Sequence, residues 1–252
     1  MLRRTRLRKP SYKKILKPLI LVGVRSNVND IRMLAVRCGY QVIGILDQYY
    51  YGNTKDIEGI PVIGDERWLL DSASTVAQQW KQHAWFFCSS WWTGKQFLNT
   101  AGLDLEKIRQ DRIELLDQTQ VRLANLIDPD AWIPNPSTVT LGQGIMIIGN
   151  VMIGNYCEIG DHSVIDWGVA LSRHSKIGKG CIVGAGANIA NYVIEDYVRI
   201  GVRAVLVGSK KDFSDARVGT RSVVHVGAVA TDDIPADHIR TANHRTLART
   251  LL

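Results

Sequence analysis

Residues 141–189 read LGQGIMIIGNVMIGNYCEIGDHSVIDWGVALSRHSKIGKGCIVGAGANI. Every sixth position of this stretch is aliphatic, without exception: Leu141, Ile147, Ile153, Ile159, Ile165, Leu171, Ile177, Val183 and Ile189. A period of six matches neither an amphipathic helix nor a strand with alternating side chains. It is typical of hexapeptide repeats, in which three units form one triangular coil and each aliphatic side chain points inward. The stretch therefore predicts a parallel β-helix.

The period of six slips once and then recovers. Ile194 follows Ile189 after five residues. The spacing then returns, in one phase on both sides of a break at Asp212, through Ile200, Leu206, Val218, Val224 and Ala230. We expect residues 209–215 to form a polar excursion at a coil corner that leaves the stacking of the coils intact. The repeat region has room for about five coils, which is enough for a self-supporting solenoid.

The positive charge of the chain is concentrated at its beginning. The net charge is +7, and the first fourteen residues alone supply seven cations and no acid: Arg3, Arg4, Arg6, Arg8, Lys9, Lys13 and Lys14. The remainder is formally neutral, so we do not expect binding to nucleic acid. We interpret residues 1–16 as a basic leader, which is either a solvated tail or a weak electrostatic contact to an anionic membrane.

The cysteines and the apolar segments indicate the cellular compartment in which the protein is expected. Four cysteines show neither metal-ligand spacing nor close pairing: Cys38, Cys88, Cys157 and Cys181. Reduced thiols of this kind are typical of a cytoplasmic protein. The apolar run at residues 18–24 is too short for a transmembrane helix. We therefore expect a cytoplasmic protein.

The N-terminal half alternates apolar strand patterns with helical ones. Strand patterns occur at residues 18–23, 41–46, 60–64 and 84–88, and helical spacing occurs at 29–38, 66–82 and 104–124. Such alternation predicts a parallel sheet with helices on its faces, which is a small Rossmann-like domain. We place this domain at residues 17–125 and the β-helix at residues 126–252, so an α/β unit precedes an all-β one.

Ligands of such sheets bind at the carboxyl ends of the strands. Here Gly23 follows the first strand and Asp47 follows the second. The turn after Gly23 contains Arg25, Ser26 and Asn27. These side chains either hydrogen-bond a phosphate at the start of the next helix or serve only as the cap of that helix. A single glycine does not make the G-x-G-x-x-G motif, which disfavours a dinucleotide such as NAD.

Together these motifs resemble those of a known family. The residues that carry the likeness are Gly23, Leu46-Asp47, the segments GIPVIG at 59–64 and LIDPDA at 126–131, and the hexapeptide repeats. Over residues 18–244 the layout resembles the sugar O- and N-acyltransferases, which include sialic-acid O-acetyltransferases and bacterial UDP-4-amino-sugar N-acetyltransferases.

The resemblance implies a left-handed β-helix and a homotrimer that uses acetyl-CoA, with active sites between neighbouring β-helices. It implies a nucleotide-sugar bound against the N-terminal domain near Arg25, Ser26, Asn27, Asp47 and Gln48. Coenzyme A would run beside the coils, near Ile182, Val202 and Thr220. A histidine in the middle of the β-helix would act as the general base.

His174 is the candidate for that base. The family's histidine precedes an Ile/Val-Gly pair by four residues, and counting back from Ile177-Gly178 reaches Arg173, with His174 one place later. A shift of one place along a strand can turn a side chain away from a site. Independently of the family, an imidazole with a pKa near 6.5 can accept a proton at neutral pH. His174 is thus either the base, with Arg173 beside it, or an exposed corner residue.

Other functional sites find less support in the sequence. A zinc site would need three converging histidines, but His162 and His174 are twelve residues apart and so lie on different sides of a coil. We expect no metal. The aromatic segments Tyr49-Tyr50-Tyr51 and Trp91-Trp92 are expected to pack at the domain interface rather than to stack on a ligand.

These observations lead to one functional hypothesis and one alternative. We expect an acetyltransferase that transfers the acetyl group of acetyl-CoA to an amino or hydroxyl group of a nucleotide-linked sugar. The alternative is a catalytically inactive hexapeptide-repeat protein that acts as a trimeric binding or structural module. The displaced histidine is what this alternative predicts.

Overall fold

The computed structural model describes residues 15–24, 28–90, 104–208 and 215–249. The basic residues 1–14, the turn residues Arg25, Ser26 and Asn27, the pair Trp91-Trp92 and most of the excursion at 209–215 lie outside these ranges. Within them, a small parallel sheet with helices precedes a long coil of short strands.

The N-terminal part has the predicted alternation of strands and helices. Its strands are β1 (Lys17–Val22), β2 (Tyr40–Leu46), β3 (Asp56–Ile57), β4 (Ile60–Gly64) and β5 (Trp85–Cys88). Its helices are α1 (Val28–Arg37), α2 (Thr75–His83) and α3 (Leu105–Thr119), with a 3₁₀ helix at Glu66–Leu70. The strand order is β3-β4-β2-β1-β5, and all neighbours are parallel except β3 and β4.

Two helices are shorter than their sequence patterns predict. The expected helix at 66–82 is divided into the 3₁₀ helix and α2, because Ser74 caps α2 by accepting the backbone N–H of Ala77. The expected helix at 104–124 ends at Thr119, where Gln120 takes a left-handed conformation with φ of 49°. An αL residue of this kind commonly terminates a helix.

The second half winds into a triangular parallel β-helix with three faces. The first face contains β7 (Thr140–Leu141), β10 (Glu158–Ile159), β13 (Lys176–Ile177), β16 (Tyr192–Ile194) and β19 (Ala216–Val218). The second contains β6 (Leu126–Ile127), β8 (Met146–Ile147), β11 (Val164–Ile165), β14 (Ile182–Val183), β17 (Arg199–Ile200), β20 (Val223–Val224), β22 (His238–Arg240) and the antiparallel β23 (Thr246–Ala248). The third contains β9 (Met152–Ile153), β12 (Ala170–Leu171), β15 (Asn188–Ala190), β18 (Val205–Val207) and β21 (Val229–Ala230).

The strand register explains the slip and the break in the sequence period. Ile159 pairs with Ile177, eighteen residues later, but Ile177 pairs with Ile194, only seventeen residues later. Ile194 in turn pairs with Val218. The coil with the slip is one residue short and the next one is longer, yet Ile177, Ile194 and Val218 all keep their side chains in the interior. The prediction that the stacking remains intact is confirmed.

Apolar packing joins the β-helix to the N-terminal sheet. The inward aliphatics form one continuous core inside the β-helix. The outward side chains of the second face, Met146, Val164 and Ile182, pack into another apolar cluster with Leu21 of β1 and Ile31 of α1. The N-terminal sheet therefore lies against the second face. Nowhere in the described ranges does a helix reach the length and apolarity that crossing a bilayer demands.

Candidate active site

The corners of the β-helix place one residue of each unit in a left-handed backbone conformation. Positive φ recurs at every sixth residue through Gly144, Asn150, Tyr156, His162, Gly168, His174, Gly180 and Gly186. Glycine, asparagine and histidine are enriched in this region of backbone space. His174, with φ of 61°, thus occupies a regular corner between the third and first faces, and its N–H donates to the carbonyl oxygen of Asn155 at 3.2 Å.

The side chain of His174 is exposed and stacked. Its imidazole lies on the ring of Tyr156, one coil earlier, with ring centroids 5.0 Å apart and planes 15° from parallel. On the other side, the shortened coil brings Asn191 into the same left-handed corner position. The next residue, Tyr192, is fully buried in the coil, where its hydroxyl donates to the carbonyl oxygen of Asp232 at 2.7 Å. The coil lacks one residue here, and this turns the side chain at position 192 inward.

Arg173 lies on the same corner and is also exposed. The register aligns it with Asn155 in the preceding coil. Toward the following coil the register changes beside Arg173, because Leu171 pairs with Ile189 but Lys176 pairs with Val193. Arg173 and His174 remain adjacent on an open edge, where a guanidinium and an imidazole can both meet a ligand.

A second polar centre lies at the carboxyl edge of the N-terminal sheet. Asp47 is 1% exposed, and its carboxylate accepts the backbone N–H groups of Val24 and Tyr49, each at 2.9 Å. The guanidinium of Arg112, from α3, lies 3.0 Å from the same carboxylate. Gly23 has φ of 71°, and a Cβ there would lie 2.2 Å from Arg112. Only glycine fits above this guanidinium.

Arg112 joins two buried carboxylates. It donates to Glu66 at 2.8 Å and to the hydroxyl of Ser90 at 2.6 Å, while Glu66 accepts the backbone N–H of Gln48 at 2.6 Å. Asp47 and Gln48 thus belong to a network that holds the strand edge together, and their predicted contact with a sugar stays a prediction. Sequence reasoning missed Arg112 because its helix follows the sheet and no local motif ties it to that edge.

The predicted coenzyme A residues are not brought together within one chain. Ile182 is 5% exposed, because it packs against the N-terminal domain. Val202 is exposed at the corner between the second and third faces, whereas Thr220 lies at the corner between the first and second. The N–H and hydroxyl of Thr220 both donate to Glu195, at 3.0 and 3.1 Å. Burial thus removes Ile182 from the surface that a ligand could reach in this chain.

The first face carries a shallow depression of about 340 Å³ that Thr220 borders. Glu158 and Lys176 form an ion pair of 2.7 Å there, and Glu195 also lines the depression. The depression adjoins the His174 corner through Lys176, two residues later. Among the described residues no group of three His, Cys, Asp or Glu side chains could hold a metal ion.

His162 takes a structural role, at the corner between the first and second faces. Its side chain is buried beneath α3, and Nε2 lies 3.0 Å from Asp117, which also binds Lys179. Arg109 of α3 donates to the carbonyl oxygens of His162 and Gly180, at 2.6 and 2.5 Å. Burial lowers the pKa of His162 against the opposing effect of Asp117. The folded protein therefore holds this imidazole neutral.

We expect the protein to become less stable as the pH is lowered, because of His162. The unfolded chain binds a proton near pH 6.5 but the folded chain does so only at lower pH, so stability is complete above about 6.5 and declines below it. Urea unfolding at several pH values between about 7.5 and 5.5 measures this slope. His162→Asn, which tolerates the left-handed backbone, should flatten it. Equal slopes in both proteins would contradict the assignment.

Comparisons with known proteins agree on the fold. No family model matches the chain. Bifunctional protein GlmU of Paracoccus denitrificans is 31% identical over 104 residues, which are 38% of this chain and 23% of that protein. The acyl-[acyl-carrier-protein]–UDP-N-acetylglucosamine O-acyltransferase of Burkholderia thailandensis is 31% identical over 77 residues, 31% of this chain and 28% of that protein. The match spans about a quarter of these relatives' length.

Two solved structures resemble nearly the whole chain. The acetyltransferase domain of PglB from Neisseria gonorrhoeae, in complex with acetyl coenzyme A, has a TM-score of 0.70 at 21% identity and covers 90% of this chain and 97% of its own. PerB from Caulobacter crescentus, in complex with CoA and GDP-perosamine, has a TM-score of 0.60 at 22% identity and covers 89% and 93%. At these identities the likeness establishes the fold, and the predicted left-handed β-helix of hexapeptide repeats is confirmed.

Proposed function

We propose that this protein is an acetyl-CoA-dependent acyltransferase that acts on an amino or hydroxyl group of a nucleotide-linked sugar. The observation that carries the proposal is the exposed His174, held on Tyr156 at a β-helix corner. The same fold binds acetyl coenzyme A in the PglB domain and CoA with GDP-perosamine in PerB. The four free cysteine thiols support a cytoplasmic location, and so does the proposed use of acetyl-CoA.

The reaction requires one proton acceptor. The imidazole of His174 takes a proton from the acceptor nitrogen or oxygen. That atom attacks the thioester carbonyl carbon of acetyl-CoA, so that a C–N or C–O bond forms and the C–S bond breaks. The imidazolium then returns its proton to the departing thiolate, which leaves as the thiol of coenzyme A. Arg173 binds a phosphate or carboxylate beside the reacting atoms.

The positions of the two polar centres favour a site shared between copies of the chain. The N-terminal sheet packs on the second face, whereas His174 lies on the corner opposite that face. A sugar bound at the sheet of one chain would therefore reach the histidine of another. The third face and its neighbouring corner expose apolar side chains suited to such an association: Met152, Trp167, Val205, Val226 and Val229. We infer a homotrimer, because parallel β-helices can close a threefold ring.

Light scattering should therefore give three times 28.1 kDa for the intact protein. Val229→Asp, which puts a charge on the exposed third face, should shift the protein to 28.1 kDa because the burial of an unpaired charge disfavours the interface. Met33→Asp is the matched control, since Met33 is 63% exposed on α1, away from that face. A monomeric wild-type protein at micromolar concentration would remove the shared site.

The proposed reaction is tested by the release of coenzyme A thiol. The wild-type protein is mixed with acetyl-CoA and a panel of UDP-, dTDP- and GDP-linked amino sugars, and acetyl-CoA binding is measured by calorimetry. Thiol release that depends on both substrates is the expected result. If no sugar is turned over and acetyl-CoA does not bind, the protein is not this enzyme.

Two observations favour the second candidate function, a catalytically inactive trimeric module. Arg173 stands where the resembling family has its histidine, and the expected coenzyme residues are dispersed in one chain. A module of this kind would bind a nucleotide or a partner chain without turnover. The same calorimetry distinguishes the two functions, because only the enzyme requires acetyl-CoA.

A further inference from the structure

The turn after β2 presents two tyrosines to solvent. Tyr49 is 41% exposed and Tyr51 is 44% exposed. The sequence predicts that this aromatic segment packs at the domain interface, but the two rings are exposed in the turn after Leu46 and Asp47, at the carboxyl end of β2. That is the edge at which Gly23 leaves β1, since the N–H of Gly23 donates to the carbonyl oxygen of Leu46 at 2.8 Å. Two exposed rings thus stand at the ligand-binding edge of the sheet.

The turn itself is held rigidly. The N–H of Tyr49 donates to the carboxylate of Asp47, and the N–H of Tyr51 donates to its carbonyl oxygen, each at 2.9 Å. The N–H of Gln48 donates to Glu66 at 2.6 Å. Because these bonds exist before any ligand arrives, the turn loses little conformational freedom on binding.

Tyr49 differs from Tyr51 in what supports its ring. The guanidinium carbon of Arg112 lies 5.7 Å from the centre of the Tyr49 ring, and Arg112 is only 3% exposed. The ring of Tyr51 instead contacts Trp68 edge-on, with centroids 5.0 Å apart and an interplanar angle of 76°. A buried cation therefore covers one side of Tyr49, and the exposed area of the ring is left for a second flat partner.

The usual polar partner of a nucleoside is already occupied at this edge. In nucleotide-binding sheets an acid at the end of the second strand accepts the ribose hydroxyl. Here the carboxylate of Asp47 accepts two backbone N–H groups and lies 3.0 Å from Arg112. A ribose could reach this carboxylate only by displacing a buried ion pair. Among the described residues at this edge, the ring of Tyr49 is the group placed to recognise a nucleoside.

We propose that Tyr49 is the nucleobase-stacking residue of this chain, and that it binds nucleoside diphosphates without reading the ribose 2′-hydroxyl. The inference rests on the proposed function in so far as the acceptor sugar is linked to a nucleotide. Stacking on an aromatic ring tolerates any base, since every base has a π face. Purine and pyrimidine diphosphates should therefore both bind.

Calorimetry with the full-length protein tests this with UDP, dUDP and GDP as probes. UDP and dUDP should bind with equal affinity, since they differ only in the 2′-hydroxyl. Tyr49→Leu should weaken all three by about tenfold, which is the order expected for the loss of one base–aromatic stack. Tyr49→Phe, which keeps the ring, should bind as the wild type does. Tyr51→Leu is the matched control, because it changes the same residue type in the same turn at similar exposure.

Each deviation has a distinct meaning. Equal losses in Tyr49→Leu and Tyr51→Leu would show that the turn and not the ring matters, and would overturn the stacking role. A preference for UDP over dUDP of tenfold or more would overturn the indifference to ribose. If the wild-type protein binds none of the probes but still acetylates an unlinked amino sugar, the stack is overturned while the acyltransferase stands. If it binds all three probes as expected but releases no thiol, the stacking role of Tyr49 is supported and the proposed acetyl transfer is contradicted.

Discussion

His174→Ala is expected to lower kcat by about 10²–10⁴-fold with little change in either KM, since a positioned proton acceptor contributes about that much to a transfer step. His174 lies at the exposed corner between the third and first faces, and its imidazole is stacked on the ring of Tyr156. The loss should appear in steady-state thiol release at saturating substrates. His174→Asn should be equally slow, and because asparagine tolerates φ of 61° it also shows that the loss does not come from the backbone.

Two variants serve as references for this experiment. His244→Ala removes another exposed histidine with a left-handed backbone, φ of 64°, and should leave kcat unchanged. Arg173→Ala should mainly raise KM, because a guanidinium beside the reacting atoms binds an anionic group and does not transfer a proton in the reaction. A nearly silent His174→Ala, with an active wild-type protein, would show that the imidazole points away and that the acceptor amine reacts without a base.

Arg112→Met is expected to lower the free energy of unfolding by about 3–5 kcal/mol, which is the usual cost of removing one partner from a buried ion pair. Arg112 is 3% exposed and lies between Asp47 and Glu66, which are each 1% exposed. Without the guanidinium two carboxylates face each other in the interior, so they must become protonated or admit water. Denaturant unfolding at neutral pH measures the change.

The same helix provides the control for Arg112. Lys107 of α3 pairs with Asp111 on the surface, so Lys107→Met removes an ion pair without burying a charge and should leave stability nearly unchanged. If Arg112→Met is no more destabilising than Lys107→Met, the network at the strand edge contributes nothing to the fold. If Arg112→Met is destabilised as expected, adding Glu66→Gln should recover part of the loss, since one of the two facing charges is then gone.

The period of six was sufficient to predict the β-helix because it fixes which side chains point inward. Each aliphatic from Leu141 to Ile189 has a fixed distance along the chain from its partner above, so the stacking follows from the sequence alone. The slip before Ile194 was also visible in the sequence. Its effect on Tyr192 was not, because a coil shortened by one residue reverses the direction of the side chains beside the missing one.

The candidate site was only partly predictable, for a different physical reason. His174 and Asp47 could be found because each occupies a defined place in a local pattern. Arg112 could not, because it reaches the strand edge from a helix that follows the sheet, and long-range pairing leaves no periodic signal. The exposure of Tyr49 was missed for the same reason. It depends on which side chain packs beneath the ring, and in the structure this is the guanidinium of Arg112.

The two hydrogen bonds of Arg109 have a consequence for how the molecule opens. A stack of coils contacts only its neighbours, so it can fray from an end one coil at a time. Arg109 of α3 binds the carbonyl oxygens of His162 and Gly180, which belong to successive coils. Fraying that starts at the C-terminal coils must therefore break the hydrogen bond between Arg109 and Gly180 before it can pass that coil. The coil that presents His174 lies between these two positions, so we expect its amides to keep their protection against hydrogen exchange when the coils that follow it fray.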